Sequence, residues 1–220
     1  MLKAIVFDFD GTILDTEAHD YGAWVEIYQE HGVELPFAEW SGIVGTVNTS
    51  FDPHRLLEEL TGRQFERAAL RARRHQRLRA LVEAEVLRPG VLSLIESAHA
   101  AGIALAVASS GTRDWVEGHL SDRGLRPYFR AICTSNDVER VKPDPALYRL
   151  ALERLGVAPE HAVAIEDSRH GMIAAKRAGM RCVVVPNEIT QGMDFTEADL
   201  LLASLAETDL AGLEQLVAPA

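Results

Sequence analysis

The sequence predicts an α/β fold, in which a parallel sheet carries helices on both faces and an all-helical domain is inserted after the first strand. From residue 89 onward, short apolar segments alternate with segments of helical periodicity, as is typical of strands buried on both faces. Between the first strand and residue 88 only helical periodicity is found. Three of the predicted strands end in polar residues, and sites in such folds form at the carboxyl ends of strands.

The first strand is predicted over 4–7, where four apolar residues follow one another. It ends in Asp8 and Asp10, followed by Gly11, which permits a sharp turn. Residues two apart on an extended chain point the same way, so both carboxylates can address one small site.

The inserted domain begins with a predicted helix whose apolar positions recur at intervals of three and four, up to a stop at Gly32. Two further helices are predicted, over 54–60 and over about 65–85. The Arg88-Pro89-Gly90 segment then marks a boundary. We therefore predict a core formed by 1–15 and 88–220 and a helical cap formed by 16–87.

The second part of the core is predicted to alternate regularly between helix and strand, which gives a Rossmann-like core. The helices are expected over 91–101, 114–124, 145–155 and 169–178, and the strands over 103–108, 131–134, 162–165 and 181–185. Residues 200–216 are predicted to form a short strand and a terminal helix.

The bulk composition restricts the class of protein. A net charge of −11 argues against a nucleic-acid partner, because phosphate backbones select basic surfaces. The apolar runs fall short of the roughly 20 residues of a membrane span, and no charged-then-apolar leader precedes the first strand. Cys133 and Cys182 lie in predicted strands and are interpreted as buried apolar residues. We expect a cytoplasmic protein without a membrane partner.

The acid pair at the end of the first strand predicts a metal site. Two crowded carboxylates repel each other unless a cation lies between them, and oxygen ligands favour Mg²⁺. A calcium loop is the alternative, but such a loop has Gly at its sixth position and polar residues between its ligands. Here Gly11 is fourth, and Phe7 and Phe9 flank the acids.

Two other strand ends and one loop carry further candidate residues, each of which also has a plain structural interpretation. Ser109 and Ser110 could cap a helix, and the acids Glu166 and Asp167 could favour a helix N-terminus. Lys142 could be an ordinary surface lysine, although the prolines on both sides of Asp144 stiffen its loop.

Taken together and in order, these segments resemble the four motifs of the haloacid dehalogenase superfamily. Asp-x-Asp-Gly-Thr at 8–12 resembles the first motif, the strand ending at Ser109 the second, Lys142-Pro143 the third, and 165–168 the fourth. The position and helical content of the cap are similar to those of the β-phosphoglucomutase-like branch.

The resemblance implies a phosphoryl-transfer mechanism. Asp8 would attack phosphorus and form an aspartyl-phosphate, and Asp10 would act as general acid and then as general base. The implied Mg²⁺ ligands are the Asp8 side chain, the Asp10 backbone carbonyl and Asp167, with Glu166 nearby. The phosphoryl oxygens would be bound by Thr12, Ser109, Ser110 and Lys142. Asp10 also argues against dehalogenation, which needs no acid to protonate an alkoxide.

The cap is expected to recognise the leaving group. Residues 63–79 hold seven arginines and one acid. The plain interpretation is a solvated helix with charged faces; our hypothesis is that Arg71 or Arg74 faces the cleft and binds an anionic part of the substrate. In β-phosphoglucomutases a loop Arg grips the second phosphate. Residues 41–49 contain no Arg or Lys, and Asn48 lies about where that Arg would be.

The leading interpretation is a monomeric, Mg²⁺-dependent phosphatase that hydrolyses a small phosphorylated metabolite, such as a sugar phosphate. A β-phosphoglucomutase-type sugar phosphomutase is the first alternative; without the loop Arg it would lose its intermediate to water. A non-catalytic protein that binds a phosphorylated metabolite on the same fold is the second. Asp8 and Asp10 are both present, and this favours an enzyme.

Overall fold

The computed structural model describes residues 1–44 and 51–218. Its strands form a parallel sheet in the order β3-β2-β1-β4-β5-β6. These strands are β1 (Ala4–Phe7), β2 (Ala104–Ala108), β3 (Ala131–Cys133), β4 (Ala162–Glu166), β5 (Arg181–Val184) and β6 (Leu200–Leu201). The predicted parallel α/β fold is confirmed.

The first strand lies at the centre of the sheet. Phe7 is in register with Val107 of β2 and with Ile165 of β4. The residues that follow these three positions therefore emerge at the same edge of the sheet, although they are far apart in sequence. This register places Asp8 between the end of β2 and Glu166.

The sheet has an apolar layer on each face, because side chains alternate along every strand. Ile5 and Phe7 belong to the layer that packs under α5 (Val91–Ala100), α6 (Arg113–Asp122) and α9 (Leu210–Leu216). Ala4 and Val6 belong to the opposite layer, under α7 (Ala146–Leu155) and α8 (Arg169–Arg177). Cys133 and Cys182 are free thiols buried in β3 and β5, as predicted.

Four helices form the described part of the inserted segment together with their connecting loops, and they enclose a third apolar cluster around Trp24, Tyr28 and Leu57. They are α1 (Thr16–Glu30), α2 (Phe37–Ser41), α3 (Pro53–Thr61) and α4 (Arg67–Glu83). Helix α2 was not predicted, because five residues are too few to show a helical period; it buries Trp40 against Tyr21. The division of the chain at 16 and 88 stays a prediction.

The two chain crossings between the cap segment and the core lie side by side. Leu14 and Leu87 form an antiparallel bridge. Next to it, the Arg88 guanidinium donates to the carbonyls of Val185 and Pro186, each at 2.8 Å. The start and the end of the cap segment are thereby held against the same edge of the core. No helix in the described ranges is both long and apolar enough to cross a bilayer.

Candidate active site

The carboxyl edge of the sheet brings together the acids and the lysine that the sequence singled out. The Lys142 Nζ forms an ion pair with Asp8 and lies 2.7 Å from Glu166 Oε1. Asp8, Glu166 and Asp167 each offer a carboxylate oxygen, and these oxygens lie within 4.8 Å of one another. Buried carboxylates at this spacing, at the ends of two adjacent strands, form a donor set that suits a hard divalent cation.

Gly11 allows the acid-bearing turn to close beneath this cluster. Its φ is +78°, a left-handed conformation that glycine adopts without strain. A Cβ at this position would clash with the Asp167 carboxylate and approach Asn187. The glycine that the sequence predicted for the turn is therefore also required by close packing against the fourth motif.

The pKa of Asp8 is shifted by burial and by the charged groups around it. Loss of water raises the pKa of Asp8 to about 7, and the adjacent Lys142 opposes the rise while the Glu166 and Asp10 carboxylates add to it. Burial alone would lower the pKa of Lys142, but the Asp8 and Glu166 carboxylates raise it above its ordinary value. Lys142 therefore supplies positive charge directly beside the acid pair.

Lys142 is only 1% exposed, so the interpretation of a surface lysine is wrong. It lies over the ring of Tyr148, 5.1 Å from the ring centroid, and the Tyr148 hydroxyl donates to Glu166 Oε1 at 2.5 Å. Sequence reasoning missed this tyrosine, because an aromatic residue in a predicted helix is ordinary core. The three residues form one buried network that holds Lys142 towards Asp8.

Asn187 is a second residue that the sequence did not reveal. Its Nδ2 donates to Asp167 Oδ2 at 2.8 Å. Its Oδ1 accepts from the backbone N–H groups of Ile189 and Thr190, at 2.9 and 3.1 Å. Burial and the Asp8 and Glu166 carboxylates raise the pKa of Asp167 well above its usual range. Asn187 thus fixes the orientation of a candidate metal ligand from outside the cluster.

The carboxylate of Asp10 is held by three donors rather than by the acid cluster. The Trp115 indole Nε1 and the Thr16 hydroxyl both donate to its Oδ1 at 2.8 Å, and the Ser109 hydroxyl donates to Oδ2 at 3.3 Å. The Trp115 ring lies between His75 of the cap and His119. No sequence signal distinguishes Trp115 from any other helical tryptophan.

The two serines after β2 do not cap helix α6. Its N-cap is Thr112, without a side-chain capping bond, so the capping interpretation is wrong. Ser109 is buried, and its hydroxyl accepts from the Gly111 N–H at 2.9 Å. Ser110 lines the cavity described below. Glu166 and Asp167 likewise leave the capping of α8 to Ser168, whose hydroxyl accepts from Gly171 at 3.1 Å.

Thr12 lies apart from the other candidate phosphate-binding groups. Its hydroxyl is buried and has no hydrogen-bond partner among the described residues. It lines a separate cavity of about 120 Å³ that also contains Arg88 and Ser204. The structure therefore does not bring the Thr12 side chain together with Ser110 and Asp10.

A cavity of about 280 Å³ lies between the cap and the strand ends, and we refer to it as the cap cavity. Its floor includes Asp8 and Asp10, and its lining combines acids, one guanidinium, aromatic rings and aliphatic side chains. The full lining is Asp8, Asp10, Thr16, Glu17, Asp20, Trp40, Ile43, Val44, Arg74, His75, Leu78, Ser110, Gly111, Thr112 and Trp115.

The structure separates the three cap residues that the sequence singled out. Arg74 lines the cap cavity, where it forms an ion pair with Asp20. Arg71 is exposed and does not line this cavity. Asn48 lies outside the described residues. The acid Glu17 was not predicted, and burial and the neighbouring carboxylates raise its pKa well above the usual range.

Other arginines of α4 form ion pairs on the surface of the cap. Arg73 pairs with Glu30 and Arg77 with Glu26, both on α1. Arg67 pairs with Asp52 and Glu58. For these three arginines, a helix with charged, paired faces is the right description.

Comparison with known proteins gives the class. Residues 5–185 match the family described as haloacid dehalogenase-like hydrolase. The protein named "Putative phosphatase YhcW" of Bacillus subtilis (strain 168) is 46% identical over 96% of both chains. Protein CbbY of Cereibacter sphaeroides is 38% identical over 100% of this chain and 99% of its own. Validoxylamine A 7'-phosphate phosphatase of Streptomyces hygroscopicus subsp. limoneus is 31% identical over 94% and 96%.

Comparison with solved structures agrees with this family match. CbbY from Rhodobacter sphaeroides in complex with phosphate superposes with a TM-score of 0.78 at 36% identity, over 97% of this chain and 100% of the other. The structure described as "putative beta-phosphoglucomutase from Thermotoga maritima" gives a TM-score of 0.78 at 28% identity, over 97% of this chain and 99% of the other. The chain belongs to the haloacid dehalogenase-like hydrolase family. Its relatives confirm the more particular prediction, a phosphatase that acts on a phosphorylated substrate.

Proposed function

We propose that this protein is a Mg²⁺-dependent phosphatase that hydrolyses a small phosphorylated metabolite, a sugar phosphate or a related compound, through an aspartyl-phosphate on Asp8. The main support is the convergence of Asp8, Lys142, Glu166 and Asp167 at one edge of the sheet, beside a cavity that also contains Asp10. Phosphoryl transfer depends on positioning and on charge stabilisation, and this arrangement provides both.

Asp8 is the proposed nucleophile. It lies at the floor of the cap cavity, with Lys142 on one of its oxygens. The lysine favours the ionised carboxylate that attack on phosphorus requires. It also lies where the negative charge of the phosphoryl oxygens would develop. Ser109, Ser110 and the backbone of the turn are the further candidate phosphate ligands.

Asp10 is the proposed general acid and base. Its carboxylate lines the same cavity, but it is held away from the acid cluster by Trp115, Thr16 and Ser109. In this position it can give a proton to the leaving oxygen and then take one from the attacking water. Its separate set of partners supports a role different from that of Asp8.

The residues present fit Mg²⁺. Asp8 and Asp167 would hold the ion, with Glu166 nearby, and the Asp10 backbone carbonyl is the further ligand that the family resemblance implies. One carboxylate oxygen from each of Asp8, Glu166 and Asp167 lies within 4.8 Å of the other two. When bound, Mg²⁺ polarises the phosphoryl group and offsets its charge. Asn187, whose Nδ2 donates to Asp167, would keep that carboxylate in position to hold the ion.

A phosphomutase remains the alternative enzyme, since a structural neighbour is described as a "putative beta-phosphoglucomutase". Hydrolysis is favoured because residues 41–49 contain no Arg or Lys to retain a bisphosphate intermediate. A non-catalytic binding protein is disfavoured, because the acids, the lysine and the cavity required for chemistry come together. The small-molecule substrates in the relatives' names, such as validoxylamine A 7'-phosphate, support a metabolite over a macromolecule.

The test is phosphate release from a panel of phosphorylated metabolites, with and without Mg²⁺. We expect metal-dependent turnover of one or a few sugar phosphates and none by Asp8→Asn. Single-turnover labelling with a radioactive phosphoester should leave an acid-stable phosphoprotein only when Asp8 is present. Isomerisation without net phosphate release would instead establish the mutase. Binding without either reaction would establish the third alternative.

A further inference from the structure

Among the described residues that line the cap cavity, one carries a guanidinium, and this guanidinium is already paired with a neighbouring carboxylate. Arg74 Nε donates to Asp20 Oδ1 at 2.5 Å, and its NH2 group pairs with Oδ2 of the same carboxylate. This is a bidentate ion pair between α4 and α1. Both side chains are mostly buried, with 22% of Arg74 and 18% of Asp20 exposed. An arginine held in this way has its planar edge turned towards the carboxylate.

The other charged groups of the cavity are acidic. Asp8, Asp10 and Glu17 join Asp20, against the single Arg74, among the described residues that line it. Lys142 does not line the cavity, and its ammonium group is already paired with Asp8 and Glu166. Residues 45–50 carry no Lys or Arg in their sequence. Among the described lining residues, a second phosphate on the leaving group would therefore enter next to carboxylates, and the imidazole of His75 is the one basic side chain there outside an ion pair.

The same cavity suits a neutral leaving group rich in hydroxyls. Glu17 makes no side-chain hydrogen bond to another described residue, so its carboxyl oxygens remain available to hydroxyl donors. Trp40 and Trp115 contribute aromatic surface, and Leu78 contributes aliphatic surface. A few polar groups on apolar walls is the usual composition of a small-molecule site.

We propose that Asp20, by pairing with Arg74, makes the site selective for monophosphates of uncharged polyhydroxylated compounds and against bisphosphates. The proposal rests on the proposed function, because it takes the cap cavity as the leaving-group site. It replaces the hypothesis that Arg74 receives an anionic part of the substrate. It also distinguishes this chain from the CbbY relative whose structure contains xylulose-(1,5)bisphosphate.

Asp20→Asn tests the proposal, because it preserves size and removes the charge that holds Arg74. The substrates are matched pairs that differ by one phosphate: fructose 6-phosphate with fructose 1,6-bisphosphate, and glucose 6-phosphate with glucose 1,6-bisphosphate. We expect the wild type to favour the monophosphates in kcat/KM. In the variant the bisphosphate-to-monophosphate ratio should rise about tenfold or more, which is the value of one charge-assisted hydrogen bond.

Glu26→Gln is the matched control. It removes another arginine–carboxylate ion pair between the same two helices, the more exposed pair with Arg77, and neither residue lines the cap cavity. The bisphosphate-to-monophosphate ratio of kcat/KM in this variant should stay at the wild-type value. The double variant Asp20→Asn/Arg74→Gln should lose the gain, because the freed guanidinium is its source. Asp20→Ala provides a second single variant if the amide disturbs folding, and its ratio should rise as well.

Binding measurements distinguish failure of the specificity proposal from failure of the proposed phosphatase activity. In an Asp8→Asn background, calorimetry with the same pairs should show monophosphate preference, and adding Asp20→Asn should shift it towards bisphosphates by a similar factor. Phosphate release with an unchanged ratio would overturn the specificity proposal alone. Absence of turnover with the expected binding shift would overturn the phosphatase alone. A wild type that prefers bisphosphates in both assays would refute the role of Asp20 outright.

Discussion

Trp115→Phe tests whether the indole N–H positions the proposed general acid. The substitution removes the 2.8 Å donor to Asp10 Oδ1 while it keeps an aromatic ring beside His119, whose centroid lies 4.2 Å from that of Trp115. A hydrogen bond to a charged group contributes about 1.5–3 kcal/mol. Thr16 still holds the same oxygen at 2.8 Å, so we expect the lower half of that range to be lost.

The expected result is a fall of roughly tenfold to forty-fivefold in kcat/KM for a sugar phosphate. If Asp10 is the general acid, an alkoxide leaving group would take its proton from Asp10, whereas p-nitrophenolate leaves without one. For p-nitrophenyl phosphate we therefore expect kcat/KM to stay within about twofold of the wild type. The difference between the two substrates, rather than either rate alone, reports the position of the acid.

Trp40→Phe is the control for this comparison. Trp40 also lines this cavity, and its indole N–H has no partner among the described residues. The same chemical change there should affect both substrates equally. Equal losses for both substrates in Trp115→Phe, or no loss at all, would show that the bond to Asp10 does not position the acid.

Two further predictions concern the buried charges. Asn187→Ala removes the amide that orients Asp167 and should weaken Mg²⁺ binding roughly tenfold to a hundredfold; calorimetric titration with Mg²⁺ measures this, and an unchanged affinity would remove Asn187 from the metal site. Lys142→Met leaves Asp8 and Glu166 buried without their cation. In metal-free protein this should cost about 3 kcal/mol and lower the Tm by roughly 6–12 °C, measured by thermal unfolding; an unchanged Tm would show that the ion pairs contribute no net stability.

The motifs were readable from the sequence because each one is local. The strand before Asp8, the turn at Gly11 and the order of the polar strand ends require only periodicity and residue type. A parallel sheet then forces distant strand ends to one edge, as the register of Phe7 with Val107 and Ile165 shows. The fold and the acids of the site were therefore predictable.

The partners of those acids were not predictable, since they depend on how helices pack. Trp115 reaches Asp10 across 105 positions of sequence, and Asn187 reaches Asp167 from the loop after β5. Tyr148 had the pattern of an ordinary core residue until the structure placed its hydroxyl on Glu166. The contacts of Trp115 and Tyr148 depend on the rotation of a helix, which hydrophobic periodicity sets only coarsely, and that of Asn187 depends on the path of a loop.

The sequence by itself determined the α/β class and the carboxylates that make up the candidate site, because strand-end carboxylates and their spacing are properties of one segment at a time. Only the tertiary structure decided which arginine lies at the cap cavity and that Asp20 holds it. The physical reason is that the charge which Arg74 offers to a substrate depends on which side chains pack against it. Asp20 and Arg74 are 54 residues apart, and only the packing of α1 on α4 turns two ordinary helical residues into one neutralised pair.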